Sequence, residues 1–356
     1  MDLNKSTFIP FSQIIGQEGA IEFLKRVMAM DKIPHAYLFA GIPGIGKTTA
    51  AVAFTQALNC NQPINGEGCG QCIPCRQVIN GNFPDYNFIE PDGTSIKIEQ
   101  IRELTRKLSF KLVSGKYRVS IINRAETLTS EAGNSFLKTL EEPPPGNVLV
   151  LNVTEPRALL PTIVSRCQKI FFRPISVKLI SRCLMDKKEM NEEQAGVLAK
   201  ISEGSLEKAL QMCDDDFFEK RQDILSKLAE LPGLSEAQAF EMALEYIKKK
   251  KASGSSKKMD IIIFDLLSTW KTWYRDMLLI KVECLTDLLI NTDFSQKLKN
   301  SSKHFRINSL IDSFFVLSNA QRDLLKNRNS ELVMENTLLA LKRLAGRKEQ
   351  PAGFYQ

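Results

Sequence analysis

The sequence contains no long hydrophobic run that is free of charge. Its longest apolar stretch, residues 261–280, is interrupted by Asp265, Lys271, Arg275 and Asp276, and charged side chains are costly in the bilayer core. We therefore expect a packed helix there and not a membrane span. An apolar segment is also missing at the amino terminus, so the sequence predicts a cytoplasmic protein.

The excess of positive charge is small. The 356 residues carry a net charge of +7, and 25% are charged and 43% hydrophobic, which is ordinary for a soluble protein of two or three domains. This surplus is compatible with nucleic-acid contact but does not by itself indicate a binding site. The lysine-rich run at residues 248–258 predicts a solvated linker, with a DNA-contacting arm as the alternative.

A complete phosphate-binding loop is present at residues 41–48. Its glycines let amide hydrogens point at phosphate oxygens, while Lys47 neutralises charge and Thr48 offers its hydroxyl to magnesium, which is a candidate companion ion. A buried-strand pattern at residues 36–40 precedes the loop, and a helical pattern at 49–58 follows it. The residues predicted to bind ATP or ADP are Gly41, Gly44, Gly46, Lys47, Thr48 and Thr49.

The carboxylates that nucleotide hydrolysis needs are missing from their expected place. An Asp at the end of a second core strand normally holds magnesium, and a following Glu polarises the attacking water. Here the strand pattern at residues 119–122 is followed by Asn123 and Arg124. An amide carries no negative charge and a guanidinium repels a metal ion. The sequence therefore predicts nucleotide binding without hydrolysis.

An alternative assignment of the strand register changes this conclusion. If the strand is misplaced, then Glu126, Glu90 or Asp92 supplies the missing acid. We expect Glu126 to face elsewhere, because it lies two residues beyond the strand end.

Four of the eight cysteines are clustered in the sequence and four are scattered. The clustered ones have the spacing of a metal knuckle, with glycines and a proline between them that allow tight turns. Four thiolates leave no open coordination position, so we predict a structural zinc site and keep an iron–sulfur cluster as the alternative. The predicted ligands are Cys60, Cys69, Cys72 and Cys75.

Strand and helix patterns alternate as far as residue 172, and helical patterns alone follow. β-rich runs lie at residues 36–40, 116–122, 148–153 and 168–172, with helical patterns at 49–58, 100–108 and 130–142. The alternation predicts an α/β fold with a parallel sheet covered on both faces. Long amphipathic helices are predicted at 237–250, 259–279, 310–325 and 331–344.

Several short motifs occur together in this chain. They are Gly16 with Gln17, residues 34–39, the phosphate loop, the cysteine segment 60–75, Asn134 with residues 137–144, residues 160–163, and Ser165 to Cys167. Together they resemble the delta-prime subunits of the bacterial DNA polymerase III clamp loader, which are AAA+ proteins related to the tau/gamma motor. The resemblance implies a P-loop AAA+ domain with a RecA-like parallel sheet and the zinc insert (1–172). It also implies a small helical lid domain (173–232) and an all-α collar domain (233–356).

The resemblance also implies roles for single residues. Arg166 corresponds to an arginine finger that reaches across a subunit interface to the terminal phosphate on a neighbour; an arginine that only satisfies a helix end is the alternative. Thr154 takes a sensor position after a core strand, so it joins the nucleotide-binding residues. Glu207 stands where active motors carry an arginine.

Three hypotheses follow. The first is a non-hydrolysing delta-prime subunit of the polymerase holoenzyme, in a hetero-pentamer with tau/gamma motor and delta subunits that loads the sliding clamp on primed DNA. The second is a tau/gamma-type motor ATPase. The third is a free-standing AAA+ DNA-repair factor.

Overall fold

The computed structural model describes residues 8–213, 216–251, 256–284, 288–326 and 328–345. The chain divides into two compact units, Met1–Gln211 and Met212–Gln356. The domain boundaries predicted at residues 172 and 232 stay predictions.

The first unit is built on a parallel sheet. Its five strands are β1 (Ala36–Ala40), β2 (Tyr86–Ile89), β3 (Arg118–Ile122), β4 (Asn147–Val153) and β5 (Gln168–Phe171). They lie in the order β2-β3-β4-β1-β5, and every neighbouring pair is parallel. The predicted α/β fold class with a phosphate loop after a core strand is therefore confirmed. Strand β2 was missed by the sequence analysis because it is short and only half-buried.

Helices cover both faces of this sheet. The helices of the first unit are α1 (Glu18–Ala29), α2 (Lys47–Asn59), α3 (Ile73–Ile79), α4 (Ile98–Leu108), α5 (Ser130–Glu141), α6 (Pro161–Val164), α7 (Val177–Lys188), α8 (Glu192–Ile201) and α9 (Leu206–Gln211). Along the inner strand β1, Tyr37 and Phe39 pack on the face covered by α1 and α2. Leu38 packs on the opposite face with α4 and α5. The alternation of side chains along a strand thus supplies both layers of the core.

The second unit is helical throughout its described residues. Its helices are α10 (Phe217–Glu230), α11 (Glu236–Lys251), α12 (Ser256–Lys281), α13 (Ser295–Ser302), α14 (Ile307–Leu325) and α15 (Ser330–Ala345). Trp270 and Trp273 are buried in its core. The four long predicted helices are therefore confirmed, with ends that differ by a few residues. Among the described helices, none combines the length and apolar character that crossing a membrane requires.

The predicted linker at residues 248–258 is wrong at both of its ends. Helix α11 continues through the lysines to Lys251, and α12 begins at Ser256. Lysine is a good helix former, so a lysine run does not by itself end a helix. The central part of the predicted linker, residues 252–255, lies outside the described residues.

A buried ion pair determines where β3 begins. Asp85 and Arg118 are 0% and 3% exposed, and Asp85 Oδ1 accepts a hydrogen bond of 2.9 Å from Arg118 Nη2. Asp85 also accepts bonds from the backbone N–H groups of Val113, Ser114 and Gly115. Burial raises the pKa of Asp85, but these backbone hydrogen bonds outweigh it and the pKa is lowered. Because the loop is tied to Asp85, β3 begins at Arg118 and not at residue 116 as predicted.

We expect Asp85→Ala to destabilise the first unit by about 3 kcal/mol or more, because it leaves the Arg118 charge buried without a partner. Urea-induced unfolding followed by circular dichroism measures the change. The control is Glu22→Ala, which removes the exposed Glu22–Arg26 pair and should cost about 0.5 kcal/mol or less. Equal effects of the two variants would contradict a structural role for the buried pair.

Candidate functional site

The phosphate loop connects β1 to the amino terminus of α2. Gly46 precedes α2 with a φ of +99°, and no side chain caps that helix end. Uncapped amide groups at a helix amino terminus attract anions. Gly44 has a φ of +75°, and a Cβ there would lie 2.2 Å from Ser205 Oγ, so the loop requires glycine at that position.

Lys47 bends back over the loop that it follows. Its Nζ donates hydrogen bonds to the carbonyl oxygens of Gly41 (2.5 Å) and Ile42 (2.8 Å). Burial lowers the pKa of Lys47 to about 8, although the negative charges of Glu126 and Glu207 act in the opposite direction. The ammonium group is therefore held among backbone oxygens where a phosphate group would meet it.

An amide cluster surrounds the Thr48 hydroxyl. Asn152 Nδ2 donates to Thr48 Oγ1 over 3.1 Å, and Thr48 Oγ1 donates to Asn123 Oδ1 over 3.4 Å. Asn123 directly follows β3, so the predicted placement of this residue beside Thr48 is seen in the structure. Asn152 was missed by the sequence analysis. An asparagine that interrupts the apolar run of strand β4, two residues before Thr154, is the signal that could have found it.

The prediction that Glu126 faces elsewhere is wrong. Its Oε1 accepts a hydrogen bond of 2.8 Å from Thr154 Oγ1, and its charge acts on Lys47. The short 3-10 helix at Ala125–Thr127 turns the chain back over the sheet edge and carries Glu126 with it. Of the other two acids, Glu90 accepts from Asn123 Nδ2 over 3.2 Å, whereas Asp92 pairs with Lys97.

Helix α9 lies against the phosphate loop. The backbone N–H of Glu207 donates to the Gly44 carbonyl over 3.1 Å. Gln17 ties the segment before α7 to the same loop, since its Nε2 donates to the carbonyls of Ile45 (3.3 Å) and Arg173 (2.8 Å). Glu207 therefore lies beside the loop, in the place where an arginine would add positive charge.

Arg166 contacts none of these loop residues among its described hydrogen bonds. Its Nη1 donates to the Thr162 carbonyl over 2.9 Å, and its Nη2 donates to the Glu141 carboxylate. The Arg166 side chain is 34% exposed. The guanidinium is thus partly exposed, and its described hydrogen bonds go to Thr162, Ser165 and Glu141.

The four clustered cysteines meet in space as predicted. Their sulfur atoms all lie within 4.8 Å of one another, and they form the one such group of three or more metal-ligating side chains among the described residues. Cys60 ends α2, and Cys72 and Cys75 lie at the start of α3. The Sγ atoms of Cys60 and Cys72 are 3.8 Å apart, which matches the roughly 3.8 Å between thiolates on a tetrahedral zinc ion.

The pKa values of these thiols differ within the cluster. The backbone N–H groups of Cys72 and Gln71 point at Cys69 Sγ and lower the pKa of Cys69 to about 6. Burial raises the pKa of Cys60 and of Cys75. Sulfur atoms packed this closely are suited to a cation that neutralises their charge.

Comparison with known proteins places these features in a family. A family model described as "DNA polymerase III, delta subunit" matches residues 16–176. The DNA polymerase III subunit delta' of Bacillus subtilis is 30% identical over 329 residues, which are 91% of this chain and 96% of that protein. The DNA polymerase III subunit tau of Bacillus subtilis is 35% identical over 57% of this chain, which is 37% of that protein's own length.

A solved structure also resembles the chain. It is a DNA polymerase III gamma subunit-related protein from Thermotoga maritima, with 20% sequence identity and a TM-score of 0.49. The match covers 92% of this chain and 99% of that one.

The lowered pKa of Lys47 leads to a prediction about pH. Below about pH 8 the ammonium is charged, so we expect ADP affinity to fall as the pH rises above that value, by up to about tenfold per unit. Isothermal titration calorimetry with ADP between about pH 7 and about pH 9.5 measures this dependence. Lys47→Arg keeps its charge over this range and should give a flat profile. An ADP affinity of the unchanged protein that does not vary with pH would refute the assignment of Lys47 as the cation that meets the phosphate.

Proposed function

Because this chain belongs to the delta-prime family of DNA polymerase III subunits, we propose that it is a clamp-loader subunit that binds nucleotide without hydrolysing it. In this proposal it also supplies Arg166 to the nucleotide bound by a neighbouring subunit. The observation that carries the proposal is the amide of Asn123 beside Thr48, where a hydrolysing site needs a carboxylate.

The acids near the loop do not replace the missing one in the contacts described. Glu126 is hydrogen-bonded to Thr154, Glu90 is bonded to the amide of Asn123, and neither has a described hydrogen bond to Thr48. Arg124 follows Asn123 with an exposed side chain and adds positive charge. Glu207 adds negative charge beside Gly44, which would oppose a developing phosphate charge. These contacts support binding through Gly41, Gly44, Gly46, Lys47, Thr48, Thr49 and Thr154 without turnover.

The surroundings of Arg166 support a role outside its own nucleotide site. Its partners are Thr162 and Glu141, and a third of the side chain is exposed. A guanidinium has five donors in a planar fork, so it can keep a bond to Glu141 and still offer hydrogens to phosphate oxygens. In an assembled ring this arginine would stabilise charge on a neighbour's terminal phosphate.

The partners in this proposal are those of the family. We propose a hetero-pentamer with tau/gamma motor and delta subunits, which places the sliding clamp on primed DNA in the cytoplasm. The division into an AAA+ domain (1–172), a lid (173–232) and a collar (233–356) is part of the proposal.

We propose structural zinc in the cysteine cluster. The four sulfur atoms supply a complete tetrahedral set, which leaves no position for a substrate. Cys60 ends α2, the helix that follows the phosphate loop. The zinc would therefore stabilise the carboxyl-terminal end of that helix.

The test of the proposed function uses ATP turnover. The chain alone should show none, and the reconstituted complex with clamp and primed DNA should be active. Arg166→Ala should lower the DNA-stimulated turnover by on the order of a thousandfold at the affected interface, because the transition state loses a charge. The matched control is Arg157→Ala, an exposed arginine in the preceding 3-10 helix, which should leave turnover unchanged.

Other outcomes favour the other two hypotheses. Turnover by the isolated chain that Lys47→Ala abolishes would identify a tau/gamma-type motor. Failure to assemble with clamp-loader subunits would favour a separate AAA+ repair factor. Full activity of the Arg166→Ala complex would remove the proposed role of that arginine.

Zinc is tested by metal analysis of the protein purified under reducing conditions. We expect about one zinc per chain, because the four thiolates complete one tetrahedral shell. Cys75→Ser should lose the zinc and lower the thermal midpoint, while Cys284→Ser, which changes an exposed thiol outside the cluster, should do neither. Iron with visible absorbance would instead identify an iron–sulfur cluster.

A further inference from the structure

The surroundings of Thr48 do not fit magnesium. In a phosphate loop that holds magnesium, this hydroxyl oxygen is offered to the metal and an acid holds the metal's water. Here Thr48 Oγ1 accepts a hydrogen bond from Asn152 Nδ2 (3.1 Å) and donates one to Asn123 Oδ1 (3.4 Å). The N–H group of Asn152 occupies one of the two electron pairs of this hydroxyl oxygen, and both side chains that contact it are neutral amides that bring no charge for a cation.

The orientation of both amides follows from a neighbouring carboxylate. Glu90 is an acceptor when ionised, so the group of Asn123 that faces it at 3.2 Å is the NH₂. The Asn123 oxygen then faces the cluster, where it accepts from Asn152 Nδ2 at 3.4 Å and from Thr48. With Asn152 turned the other way, two amide oxygens would face each other. The Nδ2 group of Asn152 is therefore the one that faces Thr48 Oγ1.

The charges near the hydroxyl lead to the same conclusion. No carboxylate has a described hydrogen bond to Thr48, and in the part of the chain that the structure describes only the cysteine cluster groups three or more metal-ligating side chains. Two carboxylates lie nearby, but Glu90 accepts from Asn123 and Glu126 accepts from Thr154, and the charge of Glu126 acts on Lys47. Magnesium requires near-ideal octahedral oxygen coordination, usually with one or two carboxylates. The donor set of this site does not provide it.

We infer that this site takes a nucleoside di- or triphosphate as the metal-free anion. The inference rests on the proposed nucleotide-binding function and adds to it. Lys47 and the amide groups at the start of α2 balance the phosphate charge, and the hydroxyl of Thr48 serves as a hydrogen-bonding group. Asn123 and Asn152 place neutral amides beside Thr48, where a magnesium site would place a carboxylate.

The experiment is a comparison of ADP affinity in magnesium and in EDTA, measured by calorimetry on the full chain. The unchanged protein should bind ADP in EDTA at least as tightly as in magnesium, because magnesium competes for the anion. Asn123→Asp should reverse this order and bind about tenfold or more tightly in magnesium than in EDTA. The new carboxylate repels the free anion and provides a metal ligand.

The matched control is Asn87→Asp, which makes the same charge change within the neighbouring strand β2, where Asn87 bonds Ser120. This control variant, like the unchanged protein, should bind ADP at least as tightly in EDTA as in magnesium. Binding by the unchanged protein that is about tenfold tighter in magnesium than in EDTA would overturn the inference and leave the proposed function intact. Absence of ADP binding in both buffers would overturn both. An Asn123→Asp variant that still prefers EDTA would show that the amide does not decide the metal requirement.

Discussion

The contact between the Thr48 hydroxyl and two asparagine amides is the interaction on which the functional interpretation depends. Thr48 starts α2, Asn123 follows β3 and Asn152 lies in β4. Neutral amides satisfy the hydroxyl with hydrogen bonds but supply no charge for a metal ion or for activation of water. In the proposed function, the site would hold phosphate without a carboxylate at Asn123 to drive its cleavage.

The parallel sheet explains how these residues meet. β1, β3 and β4 are adjacent, so their carboxyl ends open on one edge of the sheet. The phosphate loop leaves β1 there, Asn123 leaves β3, and Thr154 follows β4 with Glu126 bonded to it. Lys47 is partly buried at that edge, and burial lowers its pKa to about 8. A change at one strand end therefore alters the electrostatics of the whole edge.

Arg166 and the cysteine cluster occupy other parts of the first unit. Arg166 follows α6 and is held by Glu141, while the cysteines close the far end of α2. In the proposed function the phosphate loop binds the chain's own nucleotide, and Arg166 serves the nucleotide of a neighbouring subunit. The buried Asp85–Arg118 pair contributes in another way, since Asp85 also binds the backbone of the loop that precedes β3.

The sequence by itself determined the elements with strong local signals: the glycine loop between a strand and a helix, the cysteine spacing, the long amphipathic helices and the placement of Asn123 after a strand. These features depend on residues that are close along the chain. Only the tertiary structure decided that Asn152 completes the cluster, that Glu126 turns toward Thr154 and that Glu90 orients the amides. Each of these contacts joins residues from about 30 to about 100 positions apart, and their geometry depends on the sheet order and on a 3-10 turn that hydrophobic periodicity does not encode.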